Sequence, residues 1–160
     1  MSFSIIEFRN SLGNFATGIA IITADCGKLG DVGLTINSFA SVSLEPPLIL
    51  WSINRTSDLF ETFMNARVFT VNILRNDQQP LSTQFSRKGE HSLEKYPWER
   101  SKNGCLFVPD SLVHFDCETF EKLDGGDHII FIGKVNHFVN RGGLPLIFSQ
   151  GKYRELKTDN

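Results

Sequence analysis

The feature that most constrains this chain is a series of short apolar segments that follow one another too closely for helices to alternate with them. The first of them follows Gly18, is rich in β-branched residues and ends at Asp25-Cys26-Gly27, which is typical of a buried strand followed by a turn. About seven strands are predicted against two or three helices, too many for the βαβ units of a parallel sheet. The sequence therefore predicts a mainly β fold, a small barrel with a few peripheral helices. The longer predicted strands are 19–23, 32–36, 48–53, 68–74, 113–119 and 128–139.

The predicted helices lie outside these strands. Ser4 and Glu7 have capping-box spacing, and apolar residues recur at helical spacing behind them, so a helix is predicted over 5–14. Further helices are predicted over 57–64 and 76–85.

Two connecting segments have distinct predictions. Asp124-Gly125-Gly126-Asp127 is predicted to be a hairpin turn, because adjacent glycines adopt the positive φ angles that such turns require. Residues 86–103 are polar and are predicted to form a loop with little regular structure.

Size and charge exclude several classes of protein. The 160 residues, 18.0 kDa in all, are expected to form one domain over 1–160. A net charge of −2 argues against a nucleic-acid partner, and no apolar run is long enough to span a membrane. With no signal-peptide pattern and three cysteines that lack CxxC spacing, the chain is expected to be cytoplasmic.

No metal site is predicted. His91, His114 and His137 lack the spacing of metal ligands and are predicted to be surface residues, and Cys117 is predicted to be a small core residue. The dinucleotide fingerprint, the P-loop, HExxH and GxSxG are all missing.

The densest polar cluster in the chain contains only uncharged side chains: Thr35, Asn37, Ser38, Ser41 and Ser43. Such groups suit a ligand rich in carbonyls, ring nitrogens and hydroxyls, of which an isoalloxazine ring with a ribityl chain is an example. The alternative is a Ser-rich loop that satisfies its own backbone.

Two segments are candidates to meet a phosphate. Asn54-Arg55-Thr56-Ser57 leads from a strand into a helix N-terminus, and Ser86-Arg87-Lys88-Gly89 follows the next helix. Either segment is equally compatible with a solvated loop. His128, beside the predicted turn, could project into a cleft or could be an exposed turn residue balanced by Asp127.

Taken in order along the chain, these motifs resemble the short-chain flavin reductases. The resemblance runs from about residue 7 to 156 and rests on an ordered set of motifs rather than on any one of them. The motifs are Phe8-Arg9-Asn10, Phe15-Ala16-Thr17-Gly18, 33–39, 41–47, 69–74, Gly126-Asp127-His128, Gly133-Lys134-Val135 and Gly151-Lys152-Tyr153.

The resemblance implies a homodimeric, FMN-binding split β-barrel that takes hydride from NADH or NADPH and passes it to FMN, or to FAD. It also implies that the reduced flavin could serve a partner monooxygenase. His128 would position the nicotinamide. The cofactor-binding residues would be Thr35, Asn37, Ser38, Ser41, Ser43, Ser52, Asn54, Arg55, Thr56, Ser57, Arg87 and Lys88.

The chain departs from the family pattern between residues 86 and 111, which leaves its nicotinamide preference and substrate range open. A split barrel that carries flavin or haem without catalysis is the main alternative. A barrel that binds another small ligand is a third.

Overall fold

The computed structural model describes residues 3–25, 31–93 and 96–156. Three helices and twelve strands lie in these ranges. The helices are α1 (Ile5–Leu12), α2 (Phe60–Asn65) and α3 (Gln79–Phe85), the last preceded by a 3-10 turn at Asn76–Gln78. The strands are β1 (Thr17–Gly18), β2 (Ala20–Asp25), β3 (Asp31–Ile36), β4 (Ala40–Leu44), β5 (Pro47–Asn54), β6 (Val68–Ile73), β7 (Glu99–Arg100), β8 (Leu106–Phe107), β9 (Val113–Gly125), β10 (His128–Asn140), β11 (Ile147–Ser149) and β12 (Lys152–Arg154).

Seven of the strands form one antiparallel sheet in the order β3-β2-β6-β9-β10-β5-β4. The edge strands β3 and β4 follow each other in sequence but share no ladder in the described ranges. One hydrophobic cluster nevertheless joins side chains from both halves of the sheet, including Ile22, Ile36, Trp51 and Phe131. The sheet therefore curls around a common core and stays open between its edges, which confirms the predicted split barrel.

Trp51 lies at the centre of that core. Its side chain is fully buried and packs against Phe63, Phe69 and Phe131. Along β5 the inward positions alternate with Ser52 and Asn54, which face a polar cleft. The core therefore determines which side of β5 offers polar groups to a ligand.

Several local predictions are confirmed. Ser4 and Glu7 form the capping box of α1, with Ser4 Oγ accepting from the Glu7 amide at 3.0 Å and Glu7 Oε2 accepting from the Ser4 amide at 3.2 Å. The ladder between β9 and β10 ends at the pair of Gly125 and His128, so the predicted hairpin turn is present, with Gly126 at φ 77°.

Strand β4 was not predicted, because its serines read as a polar loop. It pairs with β5 from Ala40 opposite Leu50 to Leu44 opposite Pro47, with an irregularity between Ser41 and Ser43. An exposed edge strand has little apolar alternation, so its sequence carries a weak strand signal.

Helix α1 forms as predicted, but none of its residues is buried. Its apolar side chains, among them Ile5, Phe8 and Leu12, are at least half exposed, as is Phe15 just beyond it. The amphipathic pattern thus predicts the helix correctly, but the apolar face of α1 does not pack into the core of this chain.

The prediction that three histidines lie on the surface is wrong for two of them. His91 and His114 are buried, and His137 is half-buried beside the buried carboxylate of Asp116. His114 lies on β9, whereas His91 lies in the loop after α3, where its ring contacts the Gly33 carbonyl and Asp58. The sequence separation of the histidines did not reveal these contacts. Cys117 is buried as predicted, and its desolvation raises the pKa of the thiol well above its usual range.

Among the described residues, no helix is long and apolar enough to cross a membrane.

Candidate functional site

A cleft of about 240 Å³ opens where the end of β3, the end of β5 and the start of β10 meet. Seven of the sequence-predicted site residues line it: Thr35, Asn37, Ser38, Ser52, Asn54, Ser57 and His128. The remaining lining residues are aliphatic, so the described wall contains no Asp, Glu, Lys or Arg. An uncharged, hydrogen-bonding cleft is therefore assembled from three separate parts of the sequence.

Strand register explains why these residues meet. Strands β5 and β10 are neighbours, with His128 opposite Asn54 and Ile130 opposite Ser52. Ser38 connects the loop after β3 to β5. Its hydroxyl accepts from the Ser52 amide at 3.0 Å and lies 3.3 Å from the Ser52 carbonyl oxygen.

Several of the hydroxyls in the cleft already have backbone partners. The Thr35 hydroxyl donates to the Ser82 carbonyl at 2.9 Å, and Ser57 Oγ accepts from the Leu59 amide at 3.2 Å. The acceptor of the Thr35 hydroxyl lies on α3, so this bond joins β3 to the helix rather than satisfying the backbone of its own loop. These side chains shape the cleft as well as facing it.

Asn37 differs from its neighbours. Its side chain is exposed and makes no hydrogen bond within the described part of the chain. It also lines a second, larger cleft of about 830 Å³, whose walls come from α1 and from residues near Phe148 and Gln150. The two clefts therefore meet at an amide whose donors and acceptor are available to a ligand.

Ser41 and Ser43 do not line the cleft. Both lie on β4, where Ser41 is exposed and Ser43 Oγ accepts from the Glu45 amide at 3.2 Å. The structure separates them from Thr35, Asn37 and Ser38 because the chain turns away into the edge strand after Phe39.

The two predicted phosphate-binding segments lie side by side. Asp58, at the start of the α2 region, accepts from the Gly89 amide at 2.8 Å, and its other oxygen lies 3.0 Å from His91 Nε2. Burial opposes ionisation of Asp58, but the hydrogen bonds from Gly89 and His91 outweigh it and lower the carboxyl pKa. Sequence reasoning missed this anchor, because Asp58 and His91 are far apart along the chain.

The charged groups of these segments are exposed. Arg87 lies 3.6 Å from Glu90, and Lys88 is solvent-exposed on the same loop. Asn54 Oδ1 accepts from both the amide and the hydroxyl of Thr56, at 2.8 and 2.7 Å. Arg55 instead contacts Asp124 and Gly126 in the turn between β9 and β10.

His128 lies at the mouth of the cleft with a carboxylate partner. Its Nδ1 is 2.7 Å from Asp127 Oδ1, and this hydrogen bond lowers the pKa of Asp127. An ionised carboxylate can only accept, so Nδ1 carries the proton and Nε2 is left for another partner. Asp127 therefore orients the ring, a role that the sequence analysis considered only as charge balance.

A separate polar cluster joins His114, Asp116 and His137, whose ligand atoms lie within 4.8 Å of one another. Asp116 accepts from the hydroxyls of Thr70 and Ser101, and Arg141 Nη1 lies 3.2 Å from His114 Nδ1. Burial lowers the pKa of His114. The Arg141 guanidinium therefore lies against one ring nitrogen of His114, close to the buried carboxylate of Asp116.

The cleft can bind and orient a planar polar ligand, but it contains no activated nucleophile. The residues present fit a flavin, since Asn37 offers an unpaired amide to an uncharged wall and two basic side chains lie on the loop docked beside Ser57. A flavin itself carries the reactive atoms, so the protein would need only to bind and orient its ligands.

Comparison with known proteins agrees with this geometry. A solved structure described as flavin reductase PheA2 in its native state superposes with a TM-score of 0.89 at 34% identity, covering 98% of this chain and 100% of that one. Another, the NADH:FAD oxidoreductase SgcE6 of Streptomyces globisporus in complex with NAD and FAD fragments, superposes with a TM-score of 0.90 at 27% identity, over 96% and 93% of the two chains.

Sequence relatives point the same way. FMN reductase (NADH) SmoA of Agrobacterium fabrum is 41% identical over 92% of this chain and 83% of its own length. The reductase component of the flavin-dependent trigonelline monooxygenase of Acinetobacter baylyi is 37% identical over 93% of this chain, which spans about half (48%) of that protein. The model of the flavin reductase like domain matches residues 12–157, nearly the whole chain, and so the chain belongs to that family.

Proposed function

We propose that this protein is an NADH-dependent flavin reductase, which transfers hydride from the nicotinamide to FMN. The observation that carries the proposal is the open, uncharged cleft that has the unpaired amide of Asn37 on one side and His128 on another. The names of the relatives support the reaction, since SmoA is an FMN reductase that uses NADH. The bound flavin would supply the hydride acceptor, which explains why the site has no nucleophile.

Each part of the cleft has a distinct proposed task. Asn37 would hydrogen-bond the polar edge of the ring, while Thr35 and Ser38 keep the loop in place. Ser52, Asn54 and Ser57 would line the ribityl chain.

The exposed basic groups would hold the phosphate end. Arg87 and Lys88 lie on the loop that Asp58 docks beside Ser57, where a charge-assisted hydrogen bond to phosphate is favourable. His128, oriented by Asp127, would position the nicotinamide over the ring, because hydride transfer requires the reacting atoms to be held at roughly 3–3.5 Å.

The direct test is NADH consumption by the purified protein with and without added FMN. We expect rapid oxidation when FMN is present and little in its absence. FAD, riboflavin and NADPH are tested in parallel to establish preference. Flavin binding without consumption of either nicotinamide would instead identify a carrier, and would overturn the proposed reaction.

Asn37→Ala should weaken flavin binding by about 1 kcal/mol, because a partly exposed hydrogen bond contributes about that much. Quenching of flavin fluorescence during titration measures the change. Ser41→Ala is the matched control, since Ser41 lies outside the cleft. Equal affinities for the Asn37 variant and the wild type would remove Asn37 from the site.

We infer that the protein works as a homodimer. Helix α1 leaves its apolar side chains at least half exposed, and it borders the cleft of about 830 Å³, whose lining mixes apolar residues such as Leu12 and Phe15 with polar ones. Covering such a surface is favourable, and the cleft reaches the site through Asn37. A solution mass of twice 18.0 kDa is expected.

A flavin-dependent monooxygenase is the proposed consumer of the product. Several relatives are reductase components of such enzymes, including HsaB of Rhodococcus jostii, which is 36% identical over 96% of this chain and 78% of its own length.

A further inference from the structure

The turn between β9 and β10, which carries Asp127 and His128, is tied to the end of β5 by one residue. Arg55 Nε donates to the Gly126 carbonyl at 3.0 Å, and Arg55 Nη2 donates to Asp124 Oδ1 at 2.9 Å. The Arg55 backbone amide also donates to the Asp127 carbonyl at 2.9 Å. Three hydrogen bonds from a single arginine therefore span the whole turn.

Only Gly126 and Asp127 of this turn lie beyond the paired strands. The ladder between β9 and β10 ends at the pair of Gly125 and His128, and the ladder between β5 and β10 begins at the pair of Asn54 and His128. Gly126 has φ 77°, and no atom lies within 4 Å of the position that a Cβ would take there. A glycine turn beyond the last ladder pair can pivot, and any pivot would move Asp127 and with it the ring of His128.

We propose that Arg55 is a positioning residue for the nicotinamide: it holds the 124–127 turn, and thereby the pair of Asp127 and His128, at the mouth of the cleft. This inference rests on the proposed function, in which His128 meets NADH. It also assigns Arg55 a role other than the phosphate contact that the sequence suggested.

The geometry argues against a phosphate role for Arg55. Arginine grips a phosphate or carboxylate with two parallel N–H groups, and the edge formed by Nε and Nη2 is already used by the turn. Arg55 also holds the pKa of Asp124 below its usual value, so this partner stays ionised at neutral pH. In the described structure, Arg55 does not line the cleft.

Loss of this contact should not unfold the protein. The Arg55 side chain is 40% exposed and that of Asp124 is 78% exposed, and exposed ion pairs contribute little to folding. An effect on NADH use can therefore be separated from an effect on stability.

The experiment compares Arg55→Gln and Asp124→Asn, which remove opposite ends of the same contact. Both should raise the KM for NADH about 3- to 10-fold, because small displacements of a positioning group reduce productive binding steeply. The dissociation constants of FMN and riboflavin should stay unchanged in both variants. Arg55→Lys keeps the charge and a single donor nitrogen, so its KM for NADH should lie between those of Arg55→Gln and the wild type.

Arg75→Gln is the matched control. Arg75 pairs with Asp77 at 2.8 Å, and its side chain is also 40% exposed, but the pair lies between β6 and α3, away from the turn. This variant should leave the KM for NADH unchanged. Amide hydrogen exchange over residues 125–129 should accelerate in Arg55→Gln and not in Arg75→Gln.

Two results would overturn the inference. If Arg55→Gln weakens binding of FMN but not of riboflavin while Asp124→Asn has no effect, Arg55 is a phosphate ligand. If exchange in the turn and the KM for NADH match those of Arg75→Gln, Arg55 does not position the turn. Failure of the proposed function gives a different result, in which the wild type does not oxidise NADH; the exchange measurement still decides whether Arg55 holds the turn.

Discussion

Trp51→Ala is expected to lower the free energy of unfolding by about 3–5 kcal/mol, the cost of removing a large aromatic side chain from a packed core. Trp51 has no exposed surface. Its ring stacks on Phe131 at 4.6 Å between centroids, and it meets Phe63 and Phe69 edge-on at 5.1 and 5.7 Å. Strands β5, β6 and β10 and helix α2 would all face the resulting cavity.

Urea titration followed by circular dichroism measures this loss, with Trp51→Phe as the conservative comparison. Trp51 Nε1 is buried without a hydrogen-bond partner in the described structure. The Phe variant therefore sacrifices packing but no hydrogen bond, and it should lose clearly less stability than the Ala variant. It also keeps the test informative if the Ala variant does not fold. A loss below about 1 kcal/mol for Trp51→Ala would contradict the central packing role.

Gly133→Ala is expected to lower the free energy of unfolding by about 1–3 kcal/mol through overpacking. A Cβ atom at Gly133 would lie 2.5 Å from Phe69 Cζ and 3.1 Å from Ile49 Cδ1, both in the core. Phe69 is fully buried against Trp51 and has little room to move. Gly133 does not have a positive φ, so backbone conformation does not require a glycine there. A glycine is needed because the core leaves no room for a Cβ atom.

Gly18→Ala is the matched control for this prediction. Gly18 also lies in a strand without a positive φ, but no atom lies within 4 Å of the position its Cβ would take. We expect its stability to stay the same or to rise slightly, because alanine reduces the entropy of the unfolded chain. Thermal unfolding of both variants under the same conditions makes the comparison. Equal losses at the two positions would show that space at Gly133 is not the cause.

These two core positions also bear on the site. Trp51 and Gly133 hold the inward face of β5 and β10, and the cleft residues Ser52 and His128 lie on the same strands. Milder core substitutions that preserve folding should therefore change flavin and NADH binding less than they change stability. A functional site built on rigid strands keeps its geometry as long as the strands remain paired.

Local patterns predicted much of the fold. The capping box of Ser4 and Glu7, the turn around Gly126 and the principal strands each depend on neighbours in the chain, so short-range periodicity and turn chemistry reveal them. Strand β4 escaped prediction because an exposed edge strand needs no apolar alternation. The burial of His91 and His114 was not predicted either, since burial depends on contacts between residues that are distant in sequence, such as His91 with Gly33 and Asp58.

The candidate site divides in the same way. The uncharged cluster at Thr35, Asn37 and Ser38 could be found from residue chemistry, and the ordered motifs indicated the family. Residue chemistry could not show which members of the cluster line the cleft. Ser41 and Ser43 lie outside it because they belong to the edge strand β4. The contacts of Arg55 could not be predicted from the sequence, since its partners Asp124 and Gly126 lie about 70 residues away along the chain.

The sequence by itself determined the mainly β fold, the position of the hairpin turn and the uncharged chemistry of the cleft, because these depend on residue type and short spacing. Only the tertiary structure decided which hydroxyls are committed to the backbone, which amide stays available, and which arginine contacts the turn. Those outcomes depend on strand register, which brings together side chains that are distant in sequence. Their positions in the sequence do not indicate that they will be in contact.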